Sequence, residues 1–333
     1  MTFSKNQKQR KKIFQFCLII LGVAFILLGI YFSQPLDIFR KAILFVWSAL
    51  ELAKKCETPK IEKSQIKRRL IQVISALIYN IDVANWFTGK ISQTGLKKVC
   101  VPGLNCYSCP GAISSCPLGA LQNTIANGKV PFYVMGFFLL VGTLFGRLIC
   151  SFLCPFGLFQ ELLYKIPSKK VKNTPKLKAI TRKVSLLKYF ILAIFCVLLP
   201  LIFYFKDGFA FPYFCKWLCP EGTIFAGWPL VAMNETLRSA IGFLFSWKTV
   251  LSVSFILWSI FMFRPFCRFF CPLGAIYSFF NKSAIFGIKV DSTKCTHCNA
   301  CVNFCKMDTL EINDRECIRC GECKNQCHFN AIK

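Results

Sequence analysis

Two runs of cysteine near the end of the chain carry the spacing of iron–sulfur ligands. Cys295-x2-Cys298-x2-Cys301-x3-Cys305 is followed by Cys317-x2-Cys320-x2-Cys323-x3-Cys327. Three thiolates at x2 spacing sit on one tight turn and hold three irons of a cubane, and the last cysteine of the other run holds the fourth. The expected ligand sets are therefore Cys295, Cys298, Cys301 and Cys327 for one [4Fe-4S] cluster, and Cys317, Cys320, Cys323 and Cys305 for a second. Zinc is the competing chemistry, but zinc sites draw on separated pairs of ligands rather than two runs of three plus one. Ala300 and Gly321 keep the turns small. The two histidines, His297 and His328, read as surface residues, because eight thiolates already suffice.

A second cysteine pattern recurs through the rest of the chain. Cys-Pro-x-Gly stands at Cys116, Cys154, Cys219 and Cys271, and three of these have a partner four residues earlier, at Cys150, Cys215 and Cys267. The first has Cys106 and Cys109 instead. Proline suits the first position of a helix. The cysteine before it then occupies the N-cap, where free N–H groups and the helix dipole favour a thiolate. Two copies share Arg-x-x-Cys-x-x-x-Cys-Pro-x-Gly, which places Arg147 and Arg264 where they could balance an anionic centre. The expectation is one inner iron–sulfur centre on Cys150, Cys154, Cys267 and Cys271, and a second, outer centre among Cys106, Cys109, Cys116, Cys215 and Cys219. Buried structural thiols, or disulfides among the outer cysteines, are the alternatives. Cys17, Cys56 and Cys196 read as inert, and Cys100 is left unassigned.

These cysteines need a scaffold, and the composition says what kind. The chain has 333 residues, 55% of them apolar and 15% aromatic, with 42 Lys+Arg against 15 Asp+Glu. Its mean hydropathy is +0.50. Disordered and collagen-like classes are excluded. The 21 cysteines do not make a secreted disulfide scaffold, because such scaffolds are short and loop-rich. No apolar segment carries a histidine, so a bis-histidine membrane haem is excluded.

Six apolar stretches mark candidate spans: Ile13–Phe32, Ile38–Ala53, Leu70–Phe87, Pro131–Ile149, Val184–Phe205 and Leu251–Phe263 with a few flanking residues, the last reaching span length only if it starts near Trp247. Ile38–Ala53 is short and carries Arg40 and Lys41, so it either spans or lies in the interface. Basic residues concentrate in Met1–Lys12, Lys54–Arg69 and Tyr164–Lys183, which all face the cytoplasm if the six stretches span; if Ile38–Ala53 does not, only Met1–Lys12 moves outside. The tail lies on that side too, with Cys150/Cys154 and Cys267/Cys271; Cys106/Cys109/Cys116 and Cys215/Cys219 face outside. The excess positive charge follows topology and anionic lipid; nucleic acid is not expected as a partner.

The predicted fold class is an all-α polytopic membrane domain of about six transmembrane helices with an internal two-helix repeat, then a small α+β two-cluster ferredoxin-like domain. Residues 1–69 form an N-terminal anchor region. Residues 70–283 form the duplicated membrane domain, with Leu70–Ile166 and Val184–Ser283 as its copies, and residues 284–333 form the ferredoxin-type domain. Asn80, Asp82 and Asn85, towards the outer end of one stretch, either serve protons or a quinone or simply snorkel.

The tail resembles bacterial two-cluster ferredoxins over its whole length, although Lys306 and His328 stand where proline usually follows the fourth cysteine. From Leu70 onwards the chain resembles the membrane polyferredoxins related to NapH, NosR and CcoG. That resemblance rests on Asn105-Cys106-Tyr107-Ser108-Cys109-Pro110, the Cys-x3-Cys-Pro pairs and the tail. It implies a multi-pass protein of the cell membrane with a cytoplasmic ferredoxin domain. Such a protein relays electrons between its [4Fe-4S] clusters and a quinone pool or an acceptor outside, as a quinol-dehydrogenase-type subunit would. The implied partners are the lipid bilayer, quinone, a soluble ferredoxin or flavodoxin and a further redox subunit. No flavin-attachment sequence of the kind some members carry is present. The alternative class is a copper-reducing or metal-handling protein, or an iron–sulfur regulator. A transporter is disfavoured, because most of the intramembrane polar groups of a substrate path are absent.

Overall fold

A computed structural model describes residues 63–168, 170–171 and 175–332. The stretches Ile13–Phe32 and Ile38–Ala53, with Cys17 and Cys56, lie outside the described residues. The described part is helical: no strand is formed among these residues, and pairing is limited to two isolated bridges, Cys100–Ser115 and Val290–Ile332. The α+β tail expected from the sequence thus shows, among its described residues, a single antiparallel bridge joining its two ends, a short α-helix, Ala300–Phe304, and a short 3-10 helix, Glu322–Gln326.

The helices that bear on the sites are α1 (Lys63–Tyr79), α2 (Pro117–Ala126), α3 (Phe132–Phe145), α4 (Leu148–Phe152) and α5 (Pro155–Tyr164). The second copy supplies α6 (Leu177–Asp207), α7 (Tyr213–Trp217), α8 (Pro220–Gly222), α9 (Phe243–Phe261), α10 (Pro265–Phe269) and α11 (Pro272–Phe280). Two of them, α6 with 31 residues and α9 with 19, are long and apolar enough to cross a membrane.

The other predicted spans differ from the helices that form. α3 has only 14 residues, because Gly146 turns the chain at φ 53° before Arg147. α1 stops at Tyr79, so Asn80, Asp82 and Asn85 lie beyond it. There Asn80 donates to Asn105 Oδ1 (3.0 Å) and Asp82 accepts from Ser92 (2.5 Å). Asn80 and Asp82 thus tie a loop down, and Asn85 opens a separate four-residue helix, Asn85–Thr88. α9 begins at Phe243, earlier than the apolar run suggested, and α6 extends well before Val184 into the basic segment.

α1 is inverted relative to a helix of a water-soluble domain. Gln65, Arg68, Gln72 and Ser75 are buried, while Leu70, Leu77 and Ile78 are more than half exposed. The polar positions recur at helical spacing and face α4 and α5. Large apolar side chains also stand outward on α3 (Phe132, Leu140), α6 (Phe190, Phe205) and α9 (Phe243, Val250). Apolar surface of this extent marks a lipid or protein interaction face.

The two copies interlock. α5 packs on α9, α11 on α3 and α6, and α2 on α6. One apolar core results, and Cys116, Cys150, Cys154, Cys219, Cys267 and Cys271 are all part of it.

Candidate metal centres

The same turn is built three times. A five-residue helix (α4, α7, α10) carries the first cysteine. It ends on Leu153, Leu218 or Phe270, each near φ −119°. The next cysteine's N–H reaches back to the carbonyl of Ile149 (3.2 Å), Phe214 (3.0 Å) or Phe266 (2.9 Å). Cys154, Cys219 and Cys271 then take extended N-cap conformations (ψ 115°, 110° and 109°), and proline opens the following helix. Cys116 adopts the same cap (ψ 128°) before Pro117 without a preceding short helix. The N–H of the glycine in each Cys-Pro-x-Gly faces its cysteine sulfur, at 3.4 Å for Gly274 and Cys271. Proline supplies no N–H at this end, so the glycine's is among the first that can reach the sulfur.

Interlocking the copies gathers Cys150, Cys154, Cys267 and Cys271, all buried, within one another's electrostatic reach. Gln160 Nε2 donates to Cys267 Sγ at 3.0 Å, and the Leu104 N–H faces Cys154. Arg147 and Arg264 are fully buried beside these thiols. Neither guanidinium ends on a cysteine sulfur. Arg264 donates to the Cys150 carbonyl (2.5 Å) and to Glu161 (2.8 Å), and Arg147 donates to Glu316 (2.8 Å) and the Arg315 carbonyl (2.7 Å). Arg264 holds a left-handed backbone (φ 49°), a costly conformation for a non-glycine residue. Glu161 also pairs with Arg68 at 3.0 Å. Burial alone would raise the Glu161 pKa, but Arg264 and Arg68 outweigh it and lower it to about 2.

This donor set fits an anionic sulfur-ligated group. Arg147 Nε and Nη2 and Arg264 Nε are buried without a hydrogen-bond partner, and an anion seated among the four thiols would meet them. Among the described residues, no three His, Cys, Asp or Glu side chains close on a point as a single metal ion would require.

The outer cysteines divide. Cys106, Cys116, Cys215 and Cys219 line a cavity of about 350 Å³ together with Leu104, Glu221 and Lys248. Glu221 accepts from the Cys106 N–H at 2.8 Å. Cys109 does not line this cavity; it packs with Ala112 and Ala226 in a small apolar cluster, against which Cys106 also packs. Cys196, read from the sequence as inert, is fully buried on α6 in a π-helical stretch, Leu192–Leu198, within electrostatic reach of Cys116 and Cys219. Cys100 pairs its backbone with Ser115, the residue before Cys116, and does not line the cavity.

In the tail, Cys305, Cys317, Cys320 and Cys323 line one cavity with Cys301. Burial pushes the Cys320 and Cys323 thiols up to about 12. Cys301 lies in the field of Cys298 and Cys295, and Cys327 accepts the Ala331 N–H at 3.3 Å. The two runs have one backbone. Left-handed φ values recur at His297 and Arg319, at Asn299 and Gly321, and at Asp308 and Asn330, which are equivalent positions. Such turns aim successive N–H groups into a concavity suited to an anion.

The tail is docked on the inner cysteines. Gln65 donates to the Cys320 carbonyl (3.0 Å) and Asn281 to that of Cys317 (2.8 Å). Arg147 and Lys188 (2.5 Å) converge on Glu316. Burial raises the Glu316 carboxyl, but these two cations hold it below the usual range.

A family described as "4Fe-4S binding domain" matches residues 128–174, 189–248 and 243–290. An uncharacterized protein of Methanocaldococcus jannaschii is 31% identical over 197 residues, 58% of this chain and 73% of the relative. The chain belongs to the 4Fe-4S binding domain family. A second uncharacterized protein of that organism is 28% identical over 165 residues, 49% of this chain and 52% of the relative. No solved structure matches.

Each matched segment of this 4Fe-4S binding protein encloses one Cys-x3-Cys-Pro turn, while Cys106, Cys116 and the tail cysteines lie outside the matches. Sequence reasoning missed Gln122, Gln160, Glu161 and Glu316. The two glutamines had left a signal, since each stands six residues after a first-copy Cys-Pro cysteine. Glu161 and Glu316 had left none, because their importance comes from cations distant in sequence.

Proposed function

We propose that this iron–sulfur protein is a membrane-bound electron carrier of the membrane polyferredoxin type. Its tail holds two [4Fe-4S] clusters on the sets named above, and its helical part holds an inner centre on Cys150, Cys154, Cys267 and Cys271. Cys106, Cys116, Cys215 and Cys219 hold an outer centre. Iron–sulfur clusters in these sets supply one-electron transfer. The chain's own residues hold the sets in series, exclude water and balance charge. The protein sits in the cell membrane, with the tail cytoplasmic and exchanging electrons with a soluble ferredoxin or flavodoxin. The outer end exchanges them with quinone or an acceptor subunit outside.

The observation that carries this reading is the contact between successive cysteine sets. Centres confined to opposite faces of a hydrocarbon core ~30 Å thick would be too far apart for efficient tunnelling. In this reading the turns dip inward, and shared residues link one set to the next. Leu104 lines the outer cavity and also turns its N–H to Cys154. Space for it exists because Gly103 has no side chain: a Cβ there would stand 3.0 Å from the Cys154 Cα. At the other end Arg147 spans from the inner thiols to Glu316, beside Cys317. The outward apolar faces of α1, α3, α6 and α9 support the membrane assignment.

The test is to count iron and acid-labile sulfide per chain after anaerobic purification, in wild type and in Cys271→Ser. The reading expects more iron than the two tail cubanes hold, and a loss in the variant with the tail clusters retained. Iron equal to the tail's alone would reduce the protein to a ferredoxin on a membrane tether.

A further inference from the structure

The two glutamines make the same set of bonds at the two sites. Gln160 Oε1 accepts the Phe266 N–H (3.2 Å), while its Nε2 donates to its own helix at Phe156 O (3.4 Å) and to Cys267 Sγ (3.0 Å). Gln122 Oε1 accepts the Phe214 N–H (3.0 Å), while its Nε2 donates to Leu118 O (3.2 Å) and to Cys215 Sγ (3.4 Å). Both side chains are buried. In each case the glutamine belongs to the first copy and the cysteine to the second.

The amide group is the side chain that can do this. Phe266 is the second residue of its short helix, after Pro265, and Phe214 follows Tyr213 at the same position. Their N–H groups are among those a helix start leaves unpaired. They fix the amide oxygen, and with it the direction of the NH2 group, since the flipped amide would set donor against donor. One amide hydrogen then bonds the helix carbonyl and the other is left for sulfur. A carboxylate would keep the bond accepted from the phenylalanine N–H and lose both donated bonds; an apolar chain would lose all three. At the matching position after Cys219 and Cys271 stand Phe225 and Tyr277, so each site receives this donor on one sulfur only.

We infer that Gln160 and Gln122 are positioning residues that tune the two helical centres, each raising the reduction potential of its own centre through an N–H donated to one ligand sulfur. The inference rests on the proposed function. Hydrogen bonds to cluster sulfurs stabilise the reduced, more negative state and so raise the potential. The shorter bond at Cys267 gives Gln160 the larger effect.

The experiment is an anaerobic redox titration of the full-length protein followed by electron paramagnetic resonance, with iron counted in every sample. Gln160→Met should lower the midpoint potential of the inner centre and leave the outer one in place, and Gln122→Met should do the reverse, with iron unchanged. Gln160→Glu keeps the acceptor for the Phe266 N–H but loses the donor and adds a negative charge, so its potential should fall at least as far as that of Gln160→Met, and an unmoved potential overturns the donor role. This variant also serves if Gln160→Met does not fold. Full iron with unmoved potentials, or equal shifts of both centres in every variant, overturns this inference alone. Wild-type iron no greater than the tail's overturns the proposed function with it.

Discussion

Arg147 and Glu316 meet at 2.8 Å, and through this contact the residue that precedes the inner cysteine turn holds the residue that precedes Cys317. Lys188 of α6 closes on the same carboxylate. A buried carboxylate shared by two buried cations is costly to break, because removing it strands two charges away from water. The tail is therefore held by charge at the point nearest the inner thiols.

Glu316→Gln should accordingly loosen the tail from the helices. We expect a loss of about 3–5 kcal/mol from that contact, read as faster hydrogen exchange and proteolysis within residues 284–332. Glu322→Gln is the comparison. Its partner Lys306 is 36% exposed, and such a pair contributes about 0–1 kcal/mol. Equal behaviour of the two variants would show that Glu316 does not dock the tail.

The glycines of the inner turns face the arginines of the opposite copy. A Cβ on Gly157 would lie 2.9 Å from both Arg264 Nη1 and the Cys150 carbonyl, whereas one on Gly274 would meet Arg147 Nη2 at 3.7 Å and the Cys267 carbonyl at 3.3 Å. Gly157→Ala should cost about 1–3 kcal/mol by overpacking, and Gly274→Ala should cost less. Thermal unfolding in detergent orders the two, and a greater loss at Gly274 would contradict the packing described.

Glu161 bridges Arg68 of α1 and Arg264, with its pKa lowered to about 2. A carboxylate whose folded pKa is lowered stabilises the fold at every pH above its unfolded value and loses that contribution as pH falls towards the folded one. Glu161→Gln should therefore be less stable than wild type by about 3 kcal/mol at neutral pH. The gap should stay constant down to about pH 4.5 and close below it. Thermal unfolding of both proteins across pH 7 to 4 checks this, and a gap that widens on acidification would reverse the assignment.

How far the sequence could be read depended on whether a feature was local. Cys-Pro as N-cap and first helical residue is a two-residue signal, and all four instances take that form. The grouping of Cys150/Cys154 with Cys267/Cys271 followed from matched spacing across the repeat. Helix lengths were harder, because hydropathy does not register where a chain turns. Gly146 and the left-handed Arg264 end apolar runs that continue in composition. The inverted α1 was hidden because its buried polar face carries Arg68, which counts in sequence as one more residue of a basic loop.

The outer set shows the same division between local pattern and long-range contact, and it yields a test. From spacing alone, Cys106 and Cys109 look like a pair, separated by two residues as cluster ligands often are. In the fold the two stay adjacent, with the Cys109 N–H bonded to the Cys106 carbonyl at 3.0 Å, but only Cys106 lines the cavity. The Cys106 N–H is held by Glu221, two residues past Cys219, and a Cβ on Gly222 would lie only 3.3 Å from Cys106 Sγ. Cys109 instead sits in the apolar cluster of Ala112 and Ala226. Cys106→Ser should therefore lower iron and labile sulfide and remove the outer signal, while Cys109→Ser should keep both and cost only packing stability. Loss of iron in Cys109→Ser with its retention in Cys106→Ser would exchange their roles and require the loop from Cys106 to Cys116 to rearrange around the cavity.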